Sequence, residues 1–375
     1  YDVDYLQGTI LLSEPLSATV NDNLLVRTGG NSGDEAYLVV RYEYTPGFDE
    51  IDALAAGGQA HYWLNDRIKL GLMANENNND DAQFDSSLRA ADLTLRLSAQ
   101  TWMKVQAGRS EGLLAQSLSS ADGGYGFESI SDPVLIGGEA DAYRGDLSIG
   151  LEEISRRLDG RLTLYGQTLE SGYSAPGLEA LTDTEAYGGS LELGLTRSMS
   201  LRGKSDILSR EDSLSTSSHE LNLNYQLNPR WNLSAGVRHD DREDDSPIAL
   251  PTQELGQRTD AVMQVGYDAR GQWSAYGFLQ DSVSTSGNRT ANGRVGAGGS
   301  YLISDRLRME MEVSDGDTGP GGRVGTSYMQ SERTSFYVNY ALENERTDNG
   351  MRGNRGSQGN LVGGMKTRLS DTASV

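Results

Sequence analysis

Three histidines, with the serines and aspartates beside them, are the side chains of this sequence best suited to acid–base or nucleophilic chemistry. His239 lies in the run RHDDREDD, where a histidine next to carboxylates could activate water as a general base. His219 follows Ser217 and Ser218, which suggests a serine nucleophile activated by a histidine. Neighbouring residues of a strand point to opposite faces, so Ser218 is poorly placed for His219 and only Ser217 shares its face.

The alternative interpretation of His239 is an acidic loop that happens to contain a histidine. His61 stands beside Tyr62 and Trp63 at a strand end, which indicates a position at a membrane interface. We therefore predict that the protein is not an enzyme. A hydrolase that loses its activity on His239→Ala or His219→Ala is kept as a third hypothesis.

Two acidic stretches could bind Ca²⁺, because carboxylate and amide oxygens are its preferred ligands. They are NENNNDDAQFD at 75–85 and HDDREDDS at 239–246, and neither has the spacing of an EF-hand loop. Solvated loops are the alternative, so no metal site is predicted beyond weak Ca²⁺ candidates that could share the ion with lipopolysaccharide phosphates. These candidates are Asp80, Asp81, Asp240 and Asp241.

The first residues, YDVDYLQG, offer another aspartate pair. Asp2 and Asp4 alternate with Tyr1, Val3 and Tyr5, so they are better explained as the wet face of a short strand than as a metal site. Residues 1–45 as a whole are predicted to be the end of a small periplasmic β-sandwich-like module. Residues 46–52 then form a linker.

Composition excludes several classes of function. The chain has 375 residues, no cysteine and a formal net charge of -22. Without cysteine there is no disulfide framework and no zinc–thiolate site. Nucleic-acid binding requires basic patches, which such a charge disfavours. No run approaches the ~20 apolar residues of a membrane helix, but membrane-spanning strands give a much weaker signal.

Apolar and polar residues alternate with a period of two through most of the chain after residue 50, which indicates β-strands. In RLRMEMEVS at 306–314, Leu307 and Met309 point one way and Arg308 and Glu310 the other. The runs are ~9 to 13 residues long, near the length that a tilted strand needs to cross a bilayer. Short turns and long polar loops alternate between them, as in bacterial outer-membrane barrels with periplasmic turns and outer loops.

The predicted fold is therefore all-β, an antiparallel transmembrane β-barrel of about 16 or more strands. The strands are predicted at 53–64, 67–75, 88–98, 101–110, 139–154, 161–170, 184–196, 199–208, 217–227, 231–239, 257–268, 272–281, 290–303, 306–314, 321–330, 333–342 and 357–369. Another strand is predicted to begin near Thr372. Single-chain bacterial barrels have even strand numbers. We therefore expect residues 53–375 to be part of a larger barrel that is incomplete at the C-terminus.

In such a barrel the polar face lines the lumen, and aromatic residues form girdles at the membrane interfaces. The predicted interface residues flank short turns and are Trp63, Trp102, Trp231 and Trp273. The predicted lumen-lining residues are Lys104, Gln106, Glu192, Arg202, Lys204, Asn222, Asn224, Arg308, Glu310 and Glu312. Whether the lumen is open or plugged is left undecided by the sequence.

The run YDVDYLQGTILLSEPL, with LLVRTGG and YLVVRYEYTPGFDEIDALAAGG, resembles the barrel region of large Gram-negative outer-membrane surface proteins. ADLTLRLSAQTWMKVQAGRSEG and SSADGGYGFES extend the resemblance to about residue 128. In that family long repeat regions often precede the barrel. The resemblance implies an outer-membrane location and a role in surface architecture or transport.

We therefore predict an integral outer-membrane barrel that serves as a channel or translocation pore, or as the membrane anchor of a cell-surface structure. The expected partners are outer-membrane lipid and lipopolysaccharide, with a surface filament, repeat domain or periplasmic protein as a further candidate, and no nucleic acid. A secreted β-repeat adhesin without a membrane-spanning role is the alternative.

Overall fold

The computed structural model describes residues 2–4, 9–11, 53–79, 85–112, 118–119, 128–129, 138–156, 158–175, 178–180, 182–212, 214–245, 254–331, 333–342 and 359–367. These residues are almost entirely β-structure, with one helical turn, α1, at Leu151–Ile154. The strands are β1 Asp2–Asp4, β2 Thr9–Leu11, β3 Ala53–Asn65, β4 Ile68–Asn79, β5 Ser86–Arg96, β6 Trp102–Gly112, β7 Leu118–Ser119, β8 Glu128–Ser129, β9 Glu139–Gly150, β10 Asp159–Leu169, β11 Ser174–Ala175, β12 Leu178–Glu179, β13 Thr184–Thr196, β14 Met199–Arg210, β15 Leu214–Gln226, β16 Trp231–Asp244, β17 Gly256–Asp268, β18 Trp273–Thr285, β19 Arg294–Ser304, β20 Leu307–Gly316, β21 Gly321–Met329, β22 Thr334–Leu342 and β23 Gly359–Thr367.

Among the described residues, seventeen strands form one closed barrel, and the other six form the separate pairs β1–β2, β7–β8 and β11–β12. The order around the barrel follows the chain from β3 to β23, and β23 lies next to β3. Successive strands from β3 to β23 pair antiparallel. Each of the seventeen predicted strands overlaps one barrel strand, and the predicted all-β barrel is confirmed.

The odd strand number has a topological consequence. Strand direction reverses at every step, so the first and last of seventeen strands run the same way. The closing pair is therefore parallel, whereas an even number would close antiparallel. β3 enters the barrel at the end where the long connections lie and β23 leaves it at the end of the short turns. The strand predicted from Thr372 lies outside the described residues.

The cross-strand registers assign one face of each strand to the outside and the other to the lumen, because directly opposed residues share a face. Leu221, Val237 and Met263 are large and apolar, yet 46%, 42% and 60% of their surface is exposed. Arg238 and Gln264, their chain neighbours, point the other way and are partly or fully buried. The apolar face is thus outside. No helix among the described residues is long and apolar enough to span a membrane.

The short turns recur because a polar side chain at their first position caps the backbone. Asn65 Oδ1 accepts hydrogen bonds from the amides of Arg67 and Ile68, at 2.8 and 3.0 Å. Asn228 Oδ1 does the same for Arg230 and Trp231, at 2.9 and 3.1 Å. Asparagine and serine favour such turns because their side chains replace a backbone acceptor. This chemistry explains the LNDR and LNPR patterns.

The turn between β9 and β10 contains α1 and is the longest at this end. The hydroxyl of Ser98, in the neighbouring turn, donates a hydrogen bond to Glu153 of α1. This bond lowers the pKa of Glu153, with a further contribution from Thr101. The predicted strand 139–154 was therefore too long, since β9 ends at Gly150.

Candidate functional site

A row of alternating charges crosses the lumen wall from β14 to β17. Lys204 lies opposite Glu220, Glu220 opposite Arg238, and Arg238 opposite Asp260. Arg238 Nη1 is 3.4 Å from Glu220 Oε2, and its Nε is 3.0 Å from Asp240 Oδ2. Each charge therefore has opposite charges beside it, which compensates its removal from bulk water.

The loop between β18 and β19, residues 286–293, folds against this wall and is named the inward loop. Arg258 Nη1 donates to the carbonyl oxygen of Thr290 at 3.3 Å, and Gln280 Nε2 donates to that of Asn292 at 2.9 Å. Asn292 is fully buried, and Arg258 is 1% exposed. The inward loop thus covers one sector of the lumen wall.

The buried pair under the inward loop is Arg258 and Asp260. Arg258 Nε is 2.9 Å from Asp260 Oδ2, and the Ser282 hydroxyl donates to the other carboxylate oxygen at 2.6 Å. The backbone amide of Asn292 in turn donates to the Ser282 oxygen at 2.8 Å. Wall and inward loop therefore form one continuous polar network.

A second segment folds inward on the other side of the barrel. Residues 171–180, with β11 and β12, are named the inward hairpin, and the amide of Ser174 donates to Ser110 Oγ of β6 at 2.9 Å. Tyr173 packs in a buried cluster with Leu88, Ala140, Ala142 and others. Burial raises the pKa of the Tyr173 phenol.

Between these two segments, charged lumen residues remain exposed to water. Arg202 pairs with Glu192 at 3.1 Å, and their side chains are 38% and 56% exposed. Lys204 pairs with Asp206 at 3.3 Å and is exposed to a similar extent. On the lumen face of the described strands, Arg and Lys are close in number to Asp and Glu, although the chain carries -22 overall. The acidic excess therefore lies elsewhere.

The registers place every predicted lumen residue on the lumen face. Lys104 and Gln106 lie on β6, Glu192 on β13, Arg202 and Lys204 on β14, Asn222 and Asn224 on β15, and Arg308, Glu310 and Glu312 on β20. Asn222 and Glu312 are buried there, and Glu312 accepts a hydrogen bond from Tyr276.

The sequence prediction missed the charges that β16 carries into the lumen beyond His239. It ended a strand at His239, whereas β16 continues to Asp244 and turns Arg238, Asp240 and Arg242 into the lumen. The alternation of these three residues was the available signal. It was hidden because the opposite face of β16 is also polar at this height.

The four tryptophans lie at the short-turn end but not all on one face. Trp231 and Trp273 face outward and flank Tyr267, with ring centroids 4.9 and 5.1 Å from it. Trp63 lies opposite Lys69 and Trp102 opposite Ser148, on the lumen face. The interface prediction therefore suits Trp231 and Trp273. Trp63 and Trp102 were also predicted at the membrane interface, but the registers place both on the lumen face.

Arg96 explains the lumen position of Trp63. Its guanidinium carbon lies 4.8 Å from the centre of the Trp63 ring, and the Lys69 ammonium lies 5.9 Å from it. A cation over an aromatic face is attracted electrostatically. Trp63 therefore belongs to a cationic cluster at the lumen mouth.

The histidines lie on different faces. His219 and His239 oppose each other on the outer face. His219 Nδ1 is 2.8 Å from Ser205 Oγ, not from Ser217, and His239 Nδ1 is 2.8 Å from Thr259 Oγ1.

A nucleophile of the serine–histidine type needs a third group that orients the base. Asp240 points into the lumen, away from both outward-facing imidazoles, and Asp241 accepts from Gln257 at 3.0 Å. His61 faces the lumen, 3.9 Å from Asp92 Oδ2, and not the membrane interface.

The aspartates considered for Ca²⁺ do not converge. Asp240 faces the lumen and Asp241 the outside, so this pair cannot chelate one ion. Asp80 and Asp81 lie outside the described residues. Within the described part of the chain, no three His, Asp or Glu side chains are grouped to hold a metal.

Together, a closed sheet, an apolar exterior and a polar interior define a transmembrane β-barrel. No family model and no curated protein matches the chain. Among solved structures it is similar to the siderophore receptor PirA from Pseudomonas aeruginosa, at 12% identity and a TM-score of 0.39, covering 86% of this chain and 72% of that one. It is also similar to the copper transporter OprC, at 11% identity and a TM-score of 0.43, covering 85% of this chain and 66% of that one. A third similar structure is a mutant porin of Rh. blastica, at 13% identity and a TM-score of 0.36, covering 73% of this chain and 88% of that one.

Proposed function

We propose that this chain forms a channel for small hydrophilic solutes in a bacterial outer membrane. The observation that carries the proposal is the exposure of Glu192, Arg202 and Lys204 on the lumen face of β13 and β14. Removing a charged side chain from water costs free energy, and pairing with an opposite charge compensates only part of that cost. Exposed charges inside the barrel therefore indicate that water reaches them. A hydrated, charge-lined interior behind an apolar exterior is the arrangement of a water-filled barrel.

The inward loop and the inward hairpin set the width of such a channel. Both attach to the lumen wall at the long-loop end, one at Arg258 and Gln280 and the other at Ser110. They cover two separate sectors and leave the wall between them exposed. We therefore propose selection by size, with little charge preference because the lumen charges are nearly balanced.

Planar-bilayer recording with the folded protein tests the proposal. We expect stepwise, ohmic conductance from a preparation whose gel mobility changes on heating, which reports a folded barrel. A folded, heat-modifiable barrel that inserts into liposomes but gives no conductance would contradict the proposed channel function. It would indicate that the lumen is plugged.

A second candidate function is the anchoring of a surface structure. β1 lies close to β7, which belongs to a long connection, and β3 begins at that same end of the barrel. We infer from this contact that β1 and the long loops lie on the same side of the membrane. On this inference a periplasmic module and periplasmic short turns cannot both hold. With the short turns in the periplasm, β1 would be displayed outside.

The other two hypotheses find less support. A soluble adhesin would have to bury its apolar stripe, but this stripe lies on the outside. A hydrolase would require a third group that orients His219 as the base for Ser205, and the described residues named above do not supply one. Failure of the purified protein to release fatty acid from phospholipid vesicles is the expected result.

A further inference from the structure

A groove of about 780 Å³ crosses the outer face of the barrel from β3 to β9. Its floor consists of residues with small side chains or none, in two neighbouring cross-strand rows. These residues are Gly58, Ala60, Ala74, Ala91 and Ala107. Leu72 and Tyr143 rise beside them. The missing side chains let a flexible apolar chain approach the sheet closely.

Two arginines border this groove toward the long-loop end. Arg109 Nε and Nη2 donate to the two carboxylate oxygens of Asp141 at 2.6 and 2.8 Å, and its Nη1 lies 3.3 Å from Glu139. Arg89 lies directly opposite Arg109 on β5. No hydrogen bond or ion pair joins the side chain of Arg89 to another described residue. The guanidinium of Arg89 is therefore available to an external anion.

Carboxylates complete the border one row higher. Glu111 lies opposite Glu139 on the outer face. Carboxylates repel a simple anion, but they accept hydrogen bonds from hydroxyl groups. The border thus offers an anion site on Arg89 next to acceptors for a hydroxyl-rich headgroup.

We propose that this groove binds a phosphorylated glycolipid of the leaflet at the long-loop end. An acyl chain covers the glycine–alanine floor, a phosphate pairs with Arg89, and sugar hydroxyls donate to Glu111 and Glu139. Guanidinium groups suit phosphate because they offer two parallel donors. The choice of leaflet rests on the proposed outer-membrane function with the long loops outside.

Native mass spectrometry of the full chain in phosphatidylcholine nanodiscs tests this proposal. One preparation is doped with bisphosphorylated lipid A and another with phosphatidylglycerol. We expect the wild type to retain lipid A and not phosphatidylglycerol. Arg89→Gln should lower lipid A retention about tenfold, as expected for a lost charge-assisted hydrogen bond. Filling the floor with Ala91→Leu and Ala107→Leu should have a similar effect.

Two matched variants serve as controls. Arg197→Gln makes the same charge change in a short turn, and Ala235→Leu makes the same size change on the outer face of β16. Both should retain lipid A as the wild type does. Equal retention by Arg89→Gln, or equal retention of phosphatidylglycerol, overturns the proposal. Conductance of the same variants is measured separately, so failure of lipid binding is distinguished from failure of the channel.

Discussion

Arg258 of β17 donates a hydrogen bond to the carbonyl oxygen of Thr290, 3.3 Å away, and so ties the inward loop to the lumen wall. The same side chain pairs with Asp260, and both residues are 1% exposed. The stability of the wall and the position of the loop therefore depend on one guanidinium group.

Replacing Arg258 by Ala should destabilise the barrel and widen its lumen. The change leaves Asp260 buried without its cation, a loss of about 3 to 5 kcal/mol. It also releases the inward loop from the wall, so single-channel conductance and current noise should rise. Urea unfolding in liposomes and bilayer recording measure the two effects.

The double variant Arg258→Met/Asp260→Leu is the matched control. It removes both charges, so the unfolding free energy should fall less than in Arg258→Ala, since buried pairs are often replaced by apolar groups at little cost. Conductance should rise in both variants. An unchanged conductance in both would show that the inward loop does not narrow the channel.

Lys204→Glu should shift the selectivity of the channel toward cations. Lys204 lies opposite Glu220 and is exposed to the lumen. Because an exposed charge is screened, the effect should stay below about 1 kcal/mol. The reversal potential in a KCl gradient reports it, and the shift should shrink at 1 M salt, where the Debye length is ~3 Å.

Lys204→Arg preserves the charge and should leave the reversal potential unchanged. Arg197→Glu makes a comparable charge reversal in a short turn and should have a smaller effect. If Arg197→Glu shifts selectivity as much as Lys204→Glu, the ions do not pass along this part of the wall.

Variants that retain one of the four tryptophans should separate the two faces of the barrel. Trp231 and Trp273 flank Tyr267 on the outside, so brominated lipid should quench their fluorescence and aqueous iodide should have little effect. Trp63 faces the lumen, so iodide should quench it. Quenching of Trp63 by brominated lipid alone would contradict its assignment to the lumen.

The strands were predictable from the sequence because one physical requirement acts on every residue of a spanning strand. Apolar Leu221 and polar Asn222 alternate, since one faces outward and the other faces the lumen. The rule fails near the long-loop end of β16, where Asp241 faces outward at a height at which polar side chains are tolerated. There Asp240 and Arg242 looked like part of a loop.

The inward loop could not have been predicted in the same way. Its attachment depends on Arg258, Gln280 and Ser282 meeting the backbone of residues 290 and 292, which are distant polar contacts without sequence periodicity. The end at which β3 begins was predictable, because β3 ends in a short turn and must therefore start at the opposite end of the barrel.

Cysteine labelling should place Thr9 on the same side of the membrane as the long loops. The chain contains no cysteine, so a single introduced thiol reports one position. In intact cells a membrane-impermeant maleimide should label Thr9→Cys in β2 and Asn288→Cys in the inward loop. Arg197→Cys, in the turn between β13 and β14, should react only after lysis. The expectation follows from the contact of β1, the partner strand of β2, with β7 in a long connection, and from the start of β3 at the same end of the barrel. Labelling of Thr9→Cys together with Arg197→Cys, and not with Asn288→Cys, would return the first residues to the short-turn side and remove the support for surface anchoring.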